Sequence, residues 1–62
     1  MKKWFILHND PESWVEIVRA KTRHGAIEKG TKKVEIILIF ELTLDNKNLA
    51  NEIENAVISG VI

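Results

Sequence analysis

The chain of 62 residues contains no cysteine, which excludes disulfides and thiolate-bound metal sites. Its two histidines, His8 and His24, are too few for a structural zinc site, which needs four ligands drawn mainly from Cys and His. Proline occurs once, at Pro11, and glycine three times. No stretch has the composition of a linker, and there is no repeat or low-complexity tract. No apolar run approaches the roughly 20 residues that span a bilayer. The start, MKKWFILHND, is basic, but its apolar segment falls short of the roughly 7 residues of a signal-peptide core. A cytoplasmic protein is the expectation, and no cofactor is expected.

Length sets the next bound. Residues 1–62 form one small domain. A chain this short buries only about 60% of the surface that its unfolded form exposes, so it is marginal as a monomer. With disulfides and structural metal set aside, oligomerisation is the remaining means of stabilisation.

A net charge of zero conceals two unequal halves. Residues 1–33 carry eight basic side chains against four acidic ones, and residues 34–62 carry one basic against five acidic. Such halves complement each other within one molecule or between two copies.

What the chain does have is a long apolar strand pattern. In Val34 to Leu44, VEIILIFELTL, every even position is apolar, and the odd positions Glu35, Ile37, Ile39, Glu41 and Thr43 are apolar only in the middle. Strand side chains alternate between two faces. One face of this strand is therefore fully buried and the other has an apolar centre. Lys2 to Leu7 reads as an earlier strand ended by the polar stop His8-Asn9-Asp10-Pro11.

The last segment reads as a helix. Asp45 is its expected N-cap, Leu44 and Leu49 form a hydrophobic staple, and Leu49, Ile53, Ala56, Val57 and Gly60 make an apolar stripe. The middle supports two readings. In one, Trp14 to Lys21 is a strand after a turn at Asp10-Pro11-Glu12-Ser13, and Thr22 caps a short helix ending at Gly30. In the other, Asp10 caps one helix from Pro11 to Lys29. Val15, Ile17 and Val18 favour the strand, and Gly25 would cost a helix about 1 kcal/mol.

The expected fold is α+β: a two-layer β-β-α-β-α domain with an antiparallel three-stranded sheet in the order 2-1-3. Both helices lie on one face, with a right-handed crossover; a β-α-β-α arrangement is the alternative. The core should hold Ile36, Leu38, Phe40, Leu42, Leu49, Ile53, Val57, Ala26 and one tryptophan.

Few residues point to chemistry. His24 to Lys32 places two glycines at P-loop spacing, but Thr31 and Lys32 are reversed, and Gly30 is better read as the end of a helix. His8, Asp10 and Glu12 lie close in sequence and read more simply as a polar turn than as a metal or acid–base site. No nucleophile–base pair emerges, so the chain is expected not to be an enzyme. Arg19, Lys21, Arg23, His24, Lys29, Lys32 and Lys33 form a basic set that suits nucleic acid or another anion, with Trp4 and Trp14 as stacking platforms.

Trp4 followed by Asp10-Pro11-Glu12-Ser13-Trp14 resembles the opening of EVE/PUA-like domains, which are much longer. Val18-x-Ala20-x-Thr22 with Ala26-Ile27-Glu28-Lys29 resembles a β-α step of the archaeal ribosomal LX domain, which is strongly basic. Each likeness covers a short segment, and no function is carried over from either. A designed or viral origin fits the pattern as well as a cellular one.

The function expected from these features is self-association or protein interaction. Phe5, Leu7, Val15, Ile17, Ile37 and Ile39 would form an apolar patch on an uncovered sheet face, rimmed by Glu35, Glu41 and Arg19. A twofold homodimer is the expected product, with an exposed edge of the third strand as a second route.

Overall fold

The computed structural model describes residues 1–31 and 34–62. The elements run β1 (Lys2–Asn9), β2 (Ser13–Ala20), α1 (Arg23–Lys29), β3 (Ile36–Glu41) and α2 (Lys47–Ile58). The sheet is antiparallel, with β1 between β2 and β3. The disputed middle is thus a strand followed by a short helix, and β1 extends through His8 to Asn9.

The local reasons are legible. Ser13–Ala20 is rich in β-branched residues, and its pairing with β1 sets Trp4 opposite Val18, Ile6 opposite Glu16 and His8 opposite Trp14. Thr22 Oγ1 accepts the Gly25 N–H at 3.0 Å and caps α1, satisfying a donor that the first turn leaves free. Gly30 ends α1 in an extended conformation, not the left-handed one usual for a helix-ending glycine. Its reason is close approach: a Cβ there would meet Ile6 Cδ1 at 3.2 Å, the Ala26 carbonyl at 3.3 Å and Glu16 Oε2 at 3.3 Å.

The helices do not share a face. Ala26 of α1 packs with Trp4 and Ala20, joined by Val18 and Ile39. Ala50 of α2 packs with Phe5 and Leu7, joined by Val15, Phe40, Leu42, Ile53 and Val57. Adjacent residues on a strand point to opposite faces, so Trp4 and Phe5 assign one helix to each side of the sheet. The dimensions agree. The domain measures 31 × 29 × 12 Å, and its thin direction fits the width of a sheet of three strands spaced about 4.8 Å apart. The expectation of both helices on one face is corrected for a simple reason: β1 is apolar on both sides, as in strands covered on both faces.

The core differs in detail as well. Trp4 and Ala26 are buried as expected, and Ile36, Phe40, Leu42, Ile53 and Val57 are half-buried. Leu38 and Leu49 are instead 39% and 50% exposed. Asp45 is not the cap of α2, and Leu44, 92% exposed, forms no staple. Asn46 holds that position, and its Oδ1 accepts the Thr43 N–H at 2.8 Å while Thr43 Oγ1 accepts the Asn46 N–H at 3.3 Å. After this turn Ala50, not Leu49, meets the sheet. Gly60 lies beyond the helix with φ +77°; its N–H bonds to the Val57 carbonyl and that of Val61 to the Ala56 carbonyl, the pairing of a glycine-terminated helix.

Phe5, 1% exposed, stacks on Phe40 at 4.9 Å. In urea denaturation Phe5→Ala should lose about 3–5 kcal/mol. That is most of the stability, about 3–9 kcal/mol, of a chain this size. A variant as stable as the parent would show that α2 does not seat on this strand.

Candidate functional site

Among the described residues no strand pairs with either outer edge of the sheet, and the two edges differ. In an antiparallel sheet alternate residues point their N–H and C=O groups to opposite sides. Leu42 N–H donates to the Lys3 carbonyl at 2.8 Å, so the even residues Leu38 and Phe40 also bond towards β1. Ile39 and Glu41 therefore direct their backbone groups outward. One of these is already taken: Asn46 Nδ2 donates to the Glu41 carbonyl at 2.6 Å. The Ile39 N–H and C=O and the Glu41 N–H remain.

This edge bears few of the devices that protect edges. Ile36–Glu41 contains no lysine, arginine or proline, and Glu41 pairs with Lys2 at 3.5 Å. A register shift where β3 passes Leu7 and His8 makes Ile37 an extra residue, an irregularity confined to one end. Ile37 is 49% and Leu38 39% exposed. On the other side, β2 is guarded: Arg19 projects from it, and Lys29 Nζ donates to the Arg19 carbonyl at 2.8 Å. Charged side chains of this kind discourage strand pairing.

The sequence-expected patch does not exist as one surface. Phe5 and Leu7 are buried under α2, and Val15 packs half-buried beside them. Ile17, 48% exposed, lines a cavity of about 270 Å³ with Phe5, Leu42 and Ala50, which Lys47, Asn51 and Glu54 of α2 flank. Ile39 lies on the opposite face, packed against the Trp4 cluster. The six residues are thus split between two faces, because each face holds a helix.

The basic set is solvated, with Lys29 seated against the Arg19 carbonyl. Arg19, Lys21, Arg23, His24 and Lys29 are exposed, while Lys32 and Lys33 lie outside the described residues. His24 sits 3.7 Å from Glu28 one helical turn on. Neither tryptophan is a free platform: Trp4 is buried and its Nε1 donates to the Ala20 carbonyl at 3.0 Å. Trp14 stacks on the His8 ring at 4.2 Å, and its Nε1 donates to the Asp10 carbonyl at 3.3 Å.

One polar cluster was not foreseen. His8, read from sequence as the start of a turn, is fully buried in β1. Its Nε2 lies 2.7 Å from Glu16 Oε2; a carboxylate only accepts, so Nε2 carries the proton. Glu16 also accepts the Thr31 N–H at 3.1 Å and the Thr31 hydroxyl at 3.4 Å. His8 Nδ1 is buried with no hydrogen-bond partner. Asp10 and Glu12 are exposed in the turn and take no part. With the imidazole closed off from solvent and the hydroxyl given to the carboxylate, the cluster ties the segment after α1 onto the sheet. The hidden signal was register: a hairpin pairing Asn9 with Ser13 brings His8 and Glu16 onto one face, diagonally adjacent. Among the described residues no group of three or more His, Cys, Asp or Glu could hold a metal ion. Among the same residues no helix is long and apolar enough to cross a membrane.

Removing the carboxylate leaves a buried donor on His8. Glu16→Ala should therefore cost about 1–3 kcal/mol in urea denaturation, and Glu16→Gln, which keeps one acceptor, should cost less. Equal stability of all three proteins would mean that Glu16 does not hold the imidazole. Comparison with known proteins finds no match among family models, curated proteins or solved structures.

Proposed function

We propose that this chain is a small, non-catalytic self-association domain, working in the cytoplasm, that takes a second copy along the edge of β3. The observation that carries this reading is the unequal treatment of the two edges. The β2 edge is guarded by Arg19 and by Lys29 on an outward carbonyl, whereas β3 offers Ile39 and Glu41 with exposed apolar side chains beside them. An unpaired, apolar edge is a template for another strand. Small size supports the same reading, because a domain this short gains from burying surface against a partner. The sheet-face route loses its support, since both faces carry helices.

Sedimentation equilibrium at micromolar to millimolar concentration tests the proposal. The parent chain should fit a dimer. Leu38→Lys places a charge beside the edge, and Glu41→Pro removes an outward N–H without touching the ladder to β1. Each should weaken association about tenfold or more while far-UV circular dichroism stays unchanged. A parent chain that remains monomeric throughout, or variants that dimerise as well as the parent, would refute this use of the edge.

A further inference from the structure

We infer that the groove between β2 and the start of α2 binds a small organic anion, a carboxylate carried on a short apolar chain. The site lies at the β2 side of the sheet, away from the β3 edge, so it does not depend on self-association. Phe5, Ile17, Leu42 and Ala50 give the groove an apolar floor, and Lys47, Asn51 and Glu54 line it from α2. An apolar hollow with a few orienting polar groups is the usual form of a small-molecule site. Its volume of about 270 Å³ is roughly nine times the share of one water molecule, ~30 Å³, which admits a ligand of about ten non-hydrogen atoms.

Charge selects what enters. Alternate residues of a strand share a face, so Lys3 stands on the same face as Phe5, and the register sets Lys3 directly opposite Arg19, next to the pair Phe5 and Ile17. Two residues along a strand cover about 6.8 Å, within reach of both long side chains. Lys47 joins them at this end. It is the first residue of α2 and lines the groove, whereas Val57 and Gly60 lie beside Asn9 and Ser13 at the far end of the hairpin. Lys3, Arg19 and Lys47 are all exposed, and among the described residues none of the three pairs with a carboxylate.

Like charges that face each other across a strand pair are destabilising. The free protein carries that cost at Lys3 and Arg19, and an anion between them offsets it while accepting charge-assisted hydrogen bonds. A carboxylate held there sends its chain over Phe5 and Ile17, where Ile17 is 48% exposed and gains cover. Glu54 fixes the polarity: it lines the groove about 10 Å along α2 from Lys47 and repels an anion placed the other way round. An anion without a chain leaves the floor exposed, and a chain without a charge leaves the cations unpaired.

Titration of the isotope-labelled chain with octanoate at low ionic strength, followed by amide chemical shifts, tests the site. Octanoate should produce saturable shifts at Ile17, Leu42, Lys47 and Ala50, half-complete near about 1 mM for a ligand of this size. Octanol, which has the chain without the charge, and acetate, which has the charge without the chain, should each bind about tenfold more weakly or worse. Arg19→Glu should lose octanoate binding by a similar factor while its urea midpoint rises, because a repelling pair becomes an attracting one. Ile17→Trp fills the groove from an exposed position and should abolish the shifts with far-UV circular dichroism unchanged. Leu38→Lys, at the β3 edge, should bind octanoate as the parent does, whatever the parent's state of association. Octanol or acetate binding as well as octanoate, shifts that do not saturate or lie away from the groove, or undiminished binding by Arg19→Glu or Ile17→Trp would overturn the assignment.

Discussion

Four consecutive buried apolar residues of β1, Trp4-Phe5-Ile6-Leu7, impose the constraint on which the rest of this structure depends. A strand sends alternate side chains to opposite faces, so an unbroken apolar run requires cover on both sides. The chain has two helices and spends one on each face, seating each through a small residue, Ala26 or Ala50. Alanine permits close approach of helix to sheet but fills little volume. The consequence is a domain in which, among the described residues, β1 is the enclosed strand, and β2 and β3 stay half-buried.

The polar end of β1 obeys the same constraint. His8 continues the strand into a buried position and so must find a partner there. Glu16 supplies it from β2 and uses its remaining capacity to hold Thr31. The closeness of Gly30 to Ile6 and Glu16 completes this closure, since a Cβ there would crowd both side chains and the Ala26 carbonyl. A histidine–carboxylate pair in this setting is a fastening between the hairpin and the segment that follows α1.

Spending both helices on the faces leaves little for the edges. Lys29 from α1 and the Arg19 side chain serve the β2 edge, whereas β3 receives the Asn46 side chain and the Lys2–Glu41 pair at one end. The acidic character of residues 34–62 does not change this, because Glu35 and Glu41 lie at the ends of the apolar stretch and not within it. The central position of β1 and the openness of β3 are thus two results of the same short chain length.

Strand and helix order and the cap at Thr22 were written in the sequence, because each rests on local chemistry: β-branched residues and a hydroxyl at a helix start. The end of α1 at Gly30 was legible as a glycine stop, but the close approach to Ile6 and Glu16 that requires glycine there is tertiary. The order 2-1-3 followed from connection lengths and the hairpin. The face taken by each helix was not legible, although the continuous run at Trp4–Leu7 contained the hint. A pattern shows that a face needs cover but not which element covers it. The partnership of His8 with Glu16 needed the hairpin register, and the rotation of α2 that put Ala50 inward and Leu49 outward needed the Thr43–Asn46 turn. Local sequence determined the elements through short-range sterics and hydrogen bonding; only tertiary packing decided which sides of them met, because that choice depends on side chains far apart in the chain competing for the same central strand.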